Sequence, residues 1–373
     1  MIIQGTSNKK GASLLIDKVS KMNMDFWLLL GITVTCLFGF IILYSASNQN
    51  AVIVEKQIFR LILGFCVMVF VAQINPILIK IWTPRLFIIA FLFLVAVPIF
   101  GEISLGARRW LDLGIIRFQP SELFKILLPL MLAWLATEYG MPNTFKRLIV
   151  SLIFLLVPIL LIMKQPDLGT SILVFAASFS VIFLAGINWS ILAAGAVSLG
   201  LAAPVFWMLL HDYQKQRILT LFNPEIDPSG AGFHIIQSKI AIGSGGFSGT
   251  GWLNGTQAHL NFIPEQKTDF IFAVLAEEFG FVGFVFLMLC YTCIIMRMAY
   301  MTYRMTDIFE KLVSGSIIMM FISYVFVNIG MVTGILPVVG VPLPLLSYGG
   351  TSLITMMIGF GLICSFYNRR NSK

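Results

Sequence analysis

Apolar residues in this chain do not recur with the period of one buried face; they run on for roughly twenty positions at a time between short polar breaks, the length an α-helix needs to cross the hydrocarbon core of a bilayer. Ten such stretches stand out, at 26–46, 57–73, 81–100, 120–138, 147–163, 170–187, 190–210, 270–296, 312–333 and 350–367. The pattern predicts an all-α polytopic membrane protein with ten transmembrane helices. They form one membrane domain over 26–367, between an N-terminal segment 1–25 and a tail 368–373. The first 25 residues are polar, carry Lys9, Lys10, Lys18 and Lys21, and lack a clear small-residue cleavage site, so the first helix reads as a retained anchor.

Two stretches break this rhythm. Between the seventh and eighth spans, 211–269 is a long connection that still holds Phe233, Ile235, Ile236, Phe247 and Trp252, so it is expected to fold back onto the helices as an ordered loop. Over 334–350, Pro337, Pro342 and Pro344 interrupt any helix while the composition stays apolar. Irregular backbone at membrane depth persists only when buried in protein or lining a cavity, so this segment is expected to dip in against the bundle. The sequence shows no internal repeat, which counts against an inverted-repeat transporter.

Composition supports the membrane reading: 58% hydrophobic and 11% charged residues exclude a water-soluble enzyme. Five cysteines and three histidines (His211, His234, His259) show no metal-ligand spacing, and Cys290 and Cys293 form a Cys-x-x-Cys inside a span, where apolar burial makes thiols inert. A net charge of +8 would suit nucleic acid, but no dense Lys/Arg run lies outside the termini, so no nucleic-acid partner is expected. The charge reads instead as topology. Of 25 Lys and Arg, 14 fall on the side of the termini, and four of the others sit in the long loop, which weighs little in the positive-inside rule. Both termini are therefore expected in the cytoplasm, with 101–119 and 211–269 facing the periplasm.

Several polar residues stand where lipid-facing helices have no use for them. Asp269 lies at the junction of the long loop and the eighth span, half desolvated by the interface, which raises a carboxylate's pKa and suits a general base. The competing reading makes Thr268 or Asp269 the helix N-cap. Glu277 and Glu278 lie two turns further in; at 100° per residue Glu277 falls about 80° from Asp269 and shares its face, while Glu278 falls about 180° away. Gln119-Pro120-Ser121-Glu122 opens the fourth span, and Glu122 with Lys125 forms an i,i+3 pair that either is an ordinary helix start or faces a cavity. Before it, Arg108 and Arg109 could grip a diphosphate beside the interfacial Trp110, or simply bind lipid headgroups in an aromatic belt. Asp167 adds an outer carboxylate that alone reads as a turn. The glycine-rich run over 243–251 has neither P-loop nor dinucleotide spacing and reads as close backbone approach or an anion nest.

These residues together resemble the SEDS family of shape, elongation, division and sporulation proteins. The resemblance is carried by 106–110, Phe118-Gln119-Pro120-Ser121-Glu122, and the stretches 165–170, 231–246, 264–280 and 337–352, in that order. Residues 234–239, ending in Lys239, and 251–257 resemble the family's elongation members more than its division members. The resemblance implies a peptidoglycan glycosyltransferase that polymerises lipid II at the outer face of the bacterial inner membrane for rod shape. Its implied partners are a class B penicillin-binding protein, the elongation machinery and membrane lipid. It implies that Asp269 is the essential acidic residue, Trp110 a functional tryptophan, and Glu122 and Lys125 a polar pair in a central cavity, with Asp167, Lys239 and Glu277 as supporting positions. Lys267 stands where the family usually has His. No cofactor is implied with certainty; a divalent cation at the diphosphate is the open candidate. The rival readings are a flippase or transporter of the lipid-linked precursor, and a non-catalytic scaffold for the transpeptidase.

Overall fold

The computed structural model describes residues 23–104, 107–112, 117–140, 144–209, 212–227, 230–259 and 265–368. The segment before residue 23 and the tail after residue 368, with Gly106, His211 and Pro264, lie outside the described residues. In chain order the elements are α1 (Phe26–Ala46), α2 (Ala51–Ala72), α3 (Pro76–Phe100), β1 (Glu102–Ser104), β2 (Ala107–Asp112), β3 (Arg117–Phe118), α4 (Pro120–Glu138), α5 (Phe145–Lys164), α6 (Leu168–Leu184) and α7 (Trp189–Leu209). There follow α8 (Asp212–Phe222), a 3-10 turn (Pro224–Ile226), α9 (Ala231–Gly245), α10 (Thr256–His259), α11 (Ile271–Arg304), α12 (Ile308–Val332) and α13 (Thr351–Asn368).

All ten apolar stretches are helical, and the protein is a multi-pass membrane protein. Among the described residues, seven helices are long and apolar enough to cross a membrane: α1, α3, α4, α5, α11, α12 and α13. The second helix starts at Ala51, six residues before the apolar stretch, because its first turns carry Glu55, Lys56 and Arg60, which hydropathy alone rejects. Short polar side chains set several of the helix starts. Asp25, Asn50, Asn75, Asp167 and Asp307 each accept a backbone N–H at the head of their helix. Asp25 also receives two bonds from the Arg297 guanidinium at 2.6 and 2.8 Å, tying the start of α1 to α11.

Within this nearly all-helical chain, β1, β2 and β3 make a small antiparallel ribbon in that order. Its central strand alternates only in part: Leu111 is buried and Arg109 half-buried, Arg108 and Asp112 are exposed, and Trp110 between them is half-buried as well. Six residues between two long helices are too few for that period to stand out in the sequence. In the bundle, Tyr291 meets Phe321 edge to face at 5.3 Å and Phe321 meets Phe360 at a tilt at 6.0 Å, linking α11 through α12 to α13. Outward faces keep large apolar side chains such as Phe59 and Leu92 exposed, as a lipid-facing surface requires.

The glycine-rich run is a splint. Helix α11 breaks at Gly280, whose φ of +61° no helical residue adopts. The N–H of Phe281 and Val282, which would bond one turn back to residues 277 and 278, donate instead to Gly246 O (3.0 Å) and Phe247 O (3.1 Å). The carbonyls so released accept from Thr250 N and Gly251 N, both at 3.0 Å. Two ladder bonds are thus replaced by four bonds to an inserted backbone, which is the close-approach reading of this run. A Cβ at Gly245 would overlap the Ala276 carbonyl oxygen, and one at Gly249 (φ +81°) would overlap that of Glu278. Gly249→Ala is expected to cost about 1–3 kcal/mol, visible as a lower melting temperature. Gly195→Ala, with nothing within 4 Å of its Cβ, should be neutral in the same melt.

Candidate functional site around Asp269

Helix α11 begins at Ile271 with Phe270 at its N-cap, and no side chain caps it. The reading of Thr268 or Asp269 as N-cap is thereby corrected. Residues 265–270 form a turn closed by Thr268 N and Phe270 N donating to Glu265 O at 3.0 and 3.3 Å. Turn and helix do not share one axis, so the angle drawn between Asp269 and Glu277 on a helical wheel does not apply.

What holds the turn is the irregular segment 334–350, packed against it as its composition suggested. Tyr348 N donates to Lys267 O (2.8 Å), and Ser347 Oγ donates to Thr268 O (2.6 Å) while accepting from Leu343 N (2.7 Å). From α12, Asn328 Nδ2 bridges Asp269 O (2.7 Å) and Val341 O (2.6 Å). From α2, buried Gln57 donates to Ser347 O (3.2 Å) and accepts from Gly349 N (3.4 Å), and the Arg60 guanidinium lies 4.2 Å from the centre of the Tyr348 ring. Two side-chain amides on two helices thus pin both irregular stretches.

The Asp269 side chain rests against Gly340, where φ is +73° and a Cβ would come within 3.3 Å of Oδ2. Burial pushes its pKa up from 3.8 to about 6; the Glu265 carboxylate adds to that rise and the Arg217 guanidinium opposes it. On Phe270, the ring of His234 stacks at 5.4 Å and 19°, with a buried Nδ1 that has no hydrogen-bond partner among the described residues. Burial holds that imidazole below its usual pKa against the pull of Glu265 and Asp227.

One helical turn along α12 from Asn328 is Tyr324, whose hydroxyl accepts from Lys125 Nζ. Lys125 also pairs with Glu122 at 2.5 Å, and Thr355 Oγ1 donates to Glu122 at 3.4 Å. Four residues of helix rise about 6 Å, so the two α12 residues that touch this pair and the Asp269 backbone lie one turn apart on the same helix. Glu122 also lines a groove of about 270 Å³ between α3, α4 and α13 whose other walls are mostly apolar, including Phe93 and Leu123. Glu122 therefore faces a groove, while Lys125 is buried and is not among its walls.

Asp167 closes the arrangement on the other side. It caps α6, accepts from Gln119 Nε2 at 2.6 Å, and sits beside the turn that Arg109 holds by donating to the Gln165 and Pro166 carbonyls. Two residues on, Gly169 is so close to the irregular segment that a Cβ would lie 2.6 Å from Val339 O. Ribbon, α6 start, segment 334–350 and Asp269 are therefore contiguous. Arg108 is exposed and donates to Pro98 O at 3.1 Å; Trp110 is half-buried and pairs across the ribbon with Glu102.

Two expected residues stand apart. Glu277 is fully buried beneath the splint, accepting from Thr256 Oγ1 (3.2 Å) and Gln257 N (2.9 Å), while Glu278 accepts from Ser45 Oγ on α1. Both anchor the glycine-rich loop. Lys239 is exposed and lies across Gly334, at the end of α12 beyond Asn328. Conversely Gln57, Arg217, Tyr324, Asn328 and Ser347 were missed. A polar side chain inside an apolar span was the available signal for Tyr324 and Asn328. Among the described residues, no three His, Cys, Asp or Glu side chains converge as a metal ion would need.

Comparison with known proteins places nearly the whole chain in one family. The model of the FtsW/RodA/SpoVE family, described as cell cycle proteins, matches residues 21–372. The chain is 48% identical over 351 residues to the peptidoglycan glycosyltransferase MrdB of Escherichia coli K12, covering 94% of this chain and 95% of that one. It is 31% identical to the peptidoglycan glycosyltransferase RodA of Treponema pallidum, covering 93% and 98%. A solved chain from a peptidoglycan synthase complex that coordinates polymerization and crosslinking superposes with a TM-score of 0.81 at 32% identity, covering 94% of this chain and 99% of that one.

The raised pKa of Asp269 has a consequence for stability. Because the folded state holds the proton more tightly than the unfolded chain, the stabilising contribution is complete below about pH 3.8 and is lost as pH rises through about 6. Asp269→Asn should therefore melt higher than wild type at pH 8, with the advantage shrinking as the pH is lowered through 6; thermal melts across that range check it.

Proposed function

The chain belongs to the FtsW/RodA/SpoVE family, and we propose that it acts as a peptidoglycan glycosyltransferase polymerising lipid II for cell elongation and rod shape. Beyond its close relatives' shared name, one observation carries the mechanism: a desolvated carboxylate, Asp269, whose backbone is clamped by the same helix α12 that contacts a buried lysine-glutamate pair one turn along. Glycosyl transfer from a lipid diphosphate forms a bond from the acceptor hydroxyl oxygen to C1 as the bond from C1 to the diphosphate oxygen breaks. It needs a base for the hydroxyl proton and cations for the leaving group. Asp269 is the base, poised near neutrality so that it is ionised at pH 7 yet more basic than a solvated carboxylate.

Lys125, Arg108 and Arg109 are the cations within this reading. The two arginines already spend donors on backbone carbonyls, which fixes their guanidinium planes at the ribbon. Glu122 holds Lys125, Asp167 braces the Arg109 turn through the start of α6, and Trp110 flanks the approach. The groove beside Glu122 suits an apolar tail, leaving the sugars at the rim. In this reading all ten helices span the membrane, both termini are cytoplasmic, and Asp269 faces the periplasm of the bacterial inner membrane. A class B penicillin-binding protein is the partner, supported by the synthase complex to which the chain is similar.

The test is gel analysis of glycan products from the purified protein with its class B partner and lipid II. Wild type should give long chains, and Asp269→Ala should lower the rate by about 10²–10⁴-fold. The rate should rise with pH through about 6 as Asp269 loses its proton, and Arg217→Gln should move that rise to higher pH. No chains from a folded wild-type complex, or full activity in Asp269→Ala, would sink the reading. Gln57 touches no reacting atom and acts through Ser347 on Thr268, so Gln57→Ala should lower kcat with little change in KM. A rise in KM alone would assign Gln57 to binding instead.

A further inference from the structure

At the far end of α4 from Glu122 lies a second concavity that the polymerase site does not use. From Glu122 to Tyr139 the helix rises about 25 Å, which places this groove in the opposite leaflet from Asp269. It holds about 570 Å³ between α3, α4 and α5, with apolar walls that include Met131, Val150 and Phe154. Its rim carries Lys146 and Arg147, both exposed and neither in an ion pair or side-chain hydrogen bond among the described residues. Trp134 and Tyr139 meet edge to face at 5.6 Å beside them, the arrangement of an interfacial aromatic belt. The nearby carboxylate, Glu138, is already paired with Lys80 at 2.8 Å and does not offset the rim charge.

An apolar slot open to the bilayer, closed at one end by two uncompensated cations and two interfacial aromatics, has the polarity of a phospholipid seen from outside. Acyl chains fit the walls, and a phosphodiester fits the guanidinium and ammonium. A zwitterionic lipid would bring its own ammonium to the same cations and gain less. We propose that this groove is a binding site for an anionic phospholipid, with Lys146 and Arg147 on the headgroup and the α3 and α5 faces along the chains.

Native mass spectrometry of the full-length protein with equimolar phosphatidylglycerol and phosphatidylethanolamine of identical acyl chains tests it. Wild type should retain phosphatidylglycerol with a preference of about tenfold or more, the order two interfacial cations supply. Lys146→Gln with Arg147→Gln should abolish that preference. Val150→Trp, which fills the slot and leaves the cations, should lose the bound lipid as well, and it carries the test alone if the double variant does not fold. Equal retention of the two lipids, or unchanged retention in either variant, would overturn the site. So would undecaprenyl phosphate displacing phosphatidylglycerol at equal concentration, since the occupant would then be a carrier lipid.

Discussion

A peptide group that leaves a helix at membrane depth has no water to bond, and each one left unpaired costs several kcal/mol. This chain leaves the helix at both ends of one short stretch of α11 and solves the problem the same way each time, by laying a second irregular strand of backbone alongside. At Gly280 the partner is the glycine-rich loop, and at the turn before Ile271 it is the segment 334–350. The twelve residues from Asp269 to Gly280 are therefore held at both ends. The position of the Asp269 carboxylate depends on glycines at 245 and 249 and on amides at 57 and 328, none of which touches it directly with a side chain except through backbone bonds.

That rigidity is what makes a costly carboxylate tolerable. A half-buried Asp held near Glu265 would relieve itself by swinging into water if its backbone were loose, and its pKa would fall back toward the solvated value. Clamping the backbone keeps the desolvation in place. The deeper pair follows a different logic: Lys125, Glu122 and Tyr324 satisfy one another, so the cation persists without solvent because its partners are built in. One centre is kept basic by burial and the other kept charged by pairing. Because α12 supplies both Tyr324 and Asn328, a single rigid helix sets the spacing between them.

How much of this was legible in the sequence follows from what hydropathy measures. It reads side chains, so all ten helices were visible, while the charged first turns of α2 and the six-residue strand β2 were not. The apolar, proline-broken character of 334–350 was enough to place it against the bundle, since lipid leaves irregular backbone no other refuge. Asp269 could be picked out by its junction, but its cap reading could not be rejected without knowing that α11 starts two residues later. Glu277 looked functional because a carboxylate in a span usually is; its real partners, Thr256 and Gln257, lie on a loop twenty residues upstream whose fold no periodicity reveals. The roles of Gln57 and Asn328 were hidden for a related reason. A lone amide among apolar residues states that something needs two bonds, without stating what.

The same clamp explains why the departure at position 267 is structurally mild. What residue 267 contributes to the turn is its carbonyl, which accepts from Tyr348 N, and every amino acid brings that group. Its side chain is only half-buried, on a turn whose shape is set by Glu265 O and by Ser347 on the neighbouring Thr268. A lysine where the family resemblance implies histidine therefore leaves the backbone path to Asp269 intact. The change is confined to charge at the rim: a permanent cation in place of a group that titrates near neutrality. Asp269 takes its elevated pKa from burial and Glu265, with Arg217 as the opposing cation, so its basicity does not rest on an imidazole at 267.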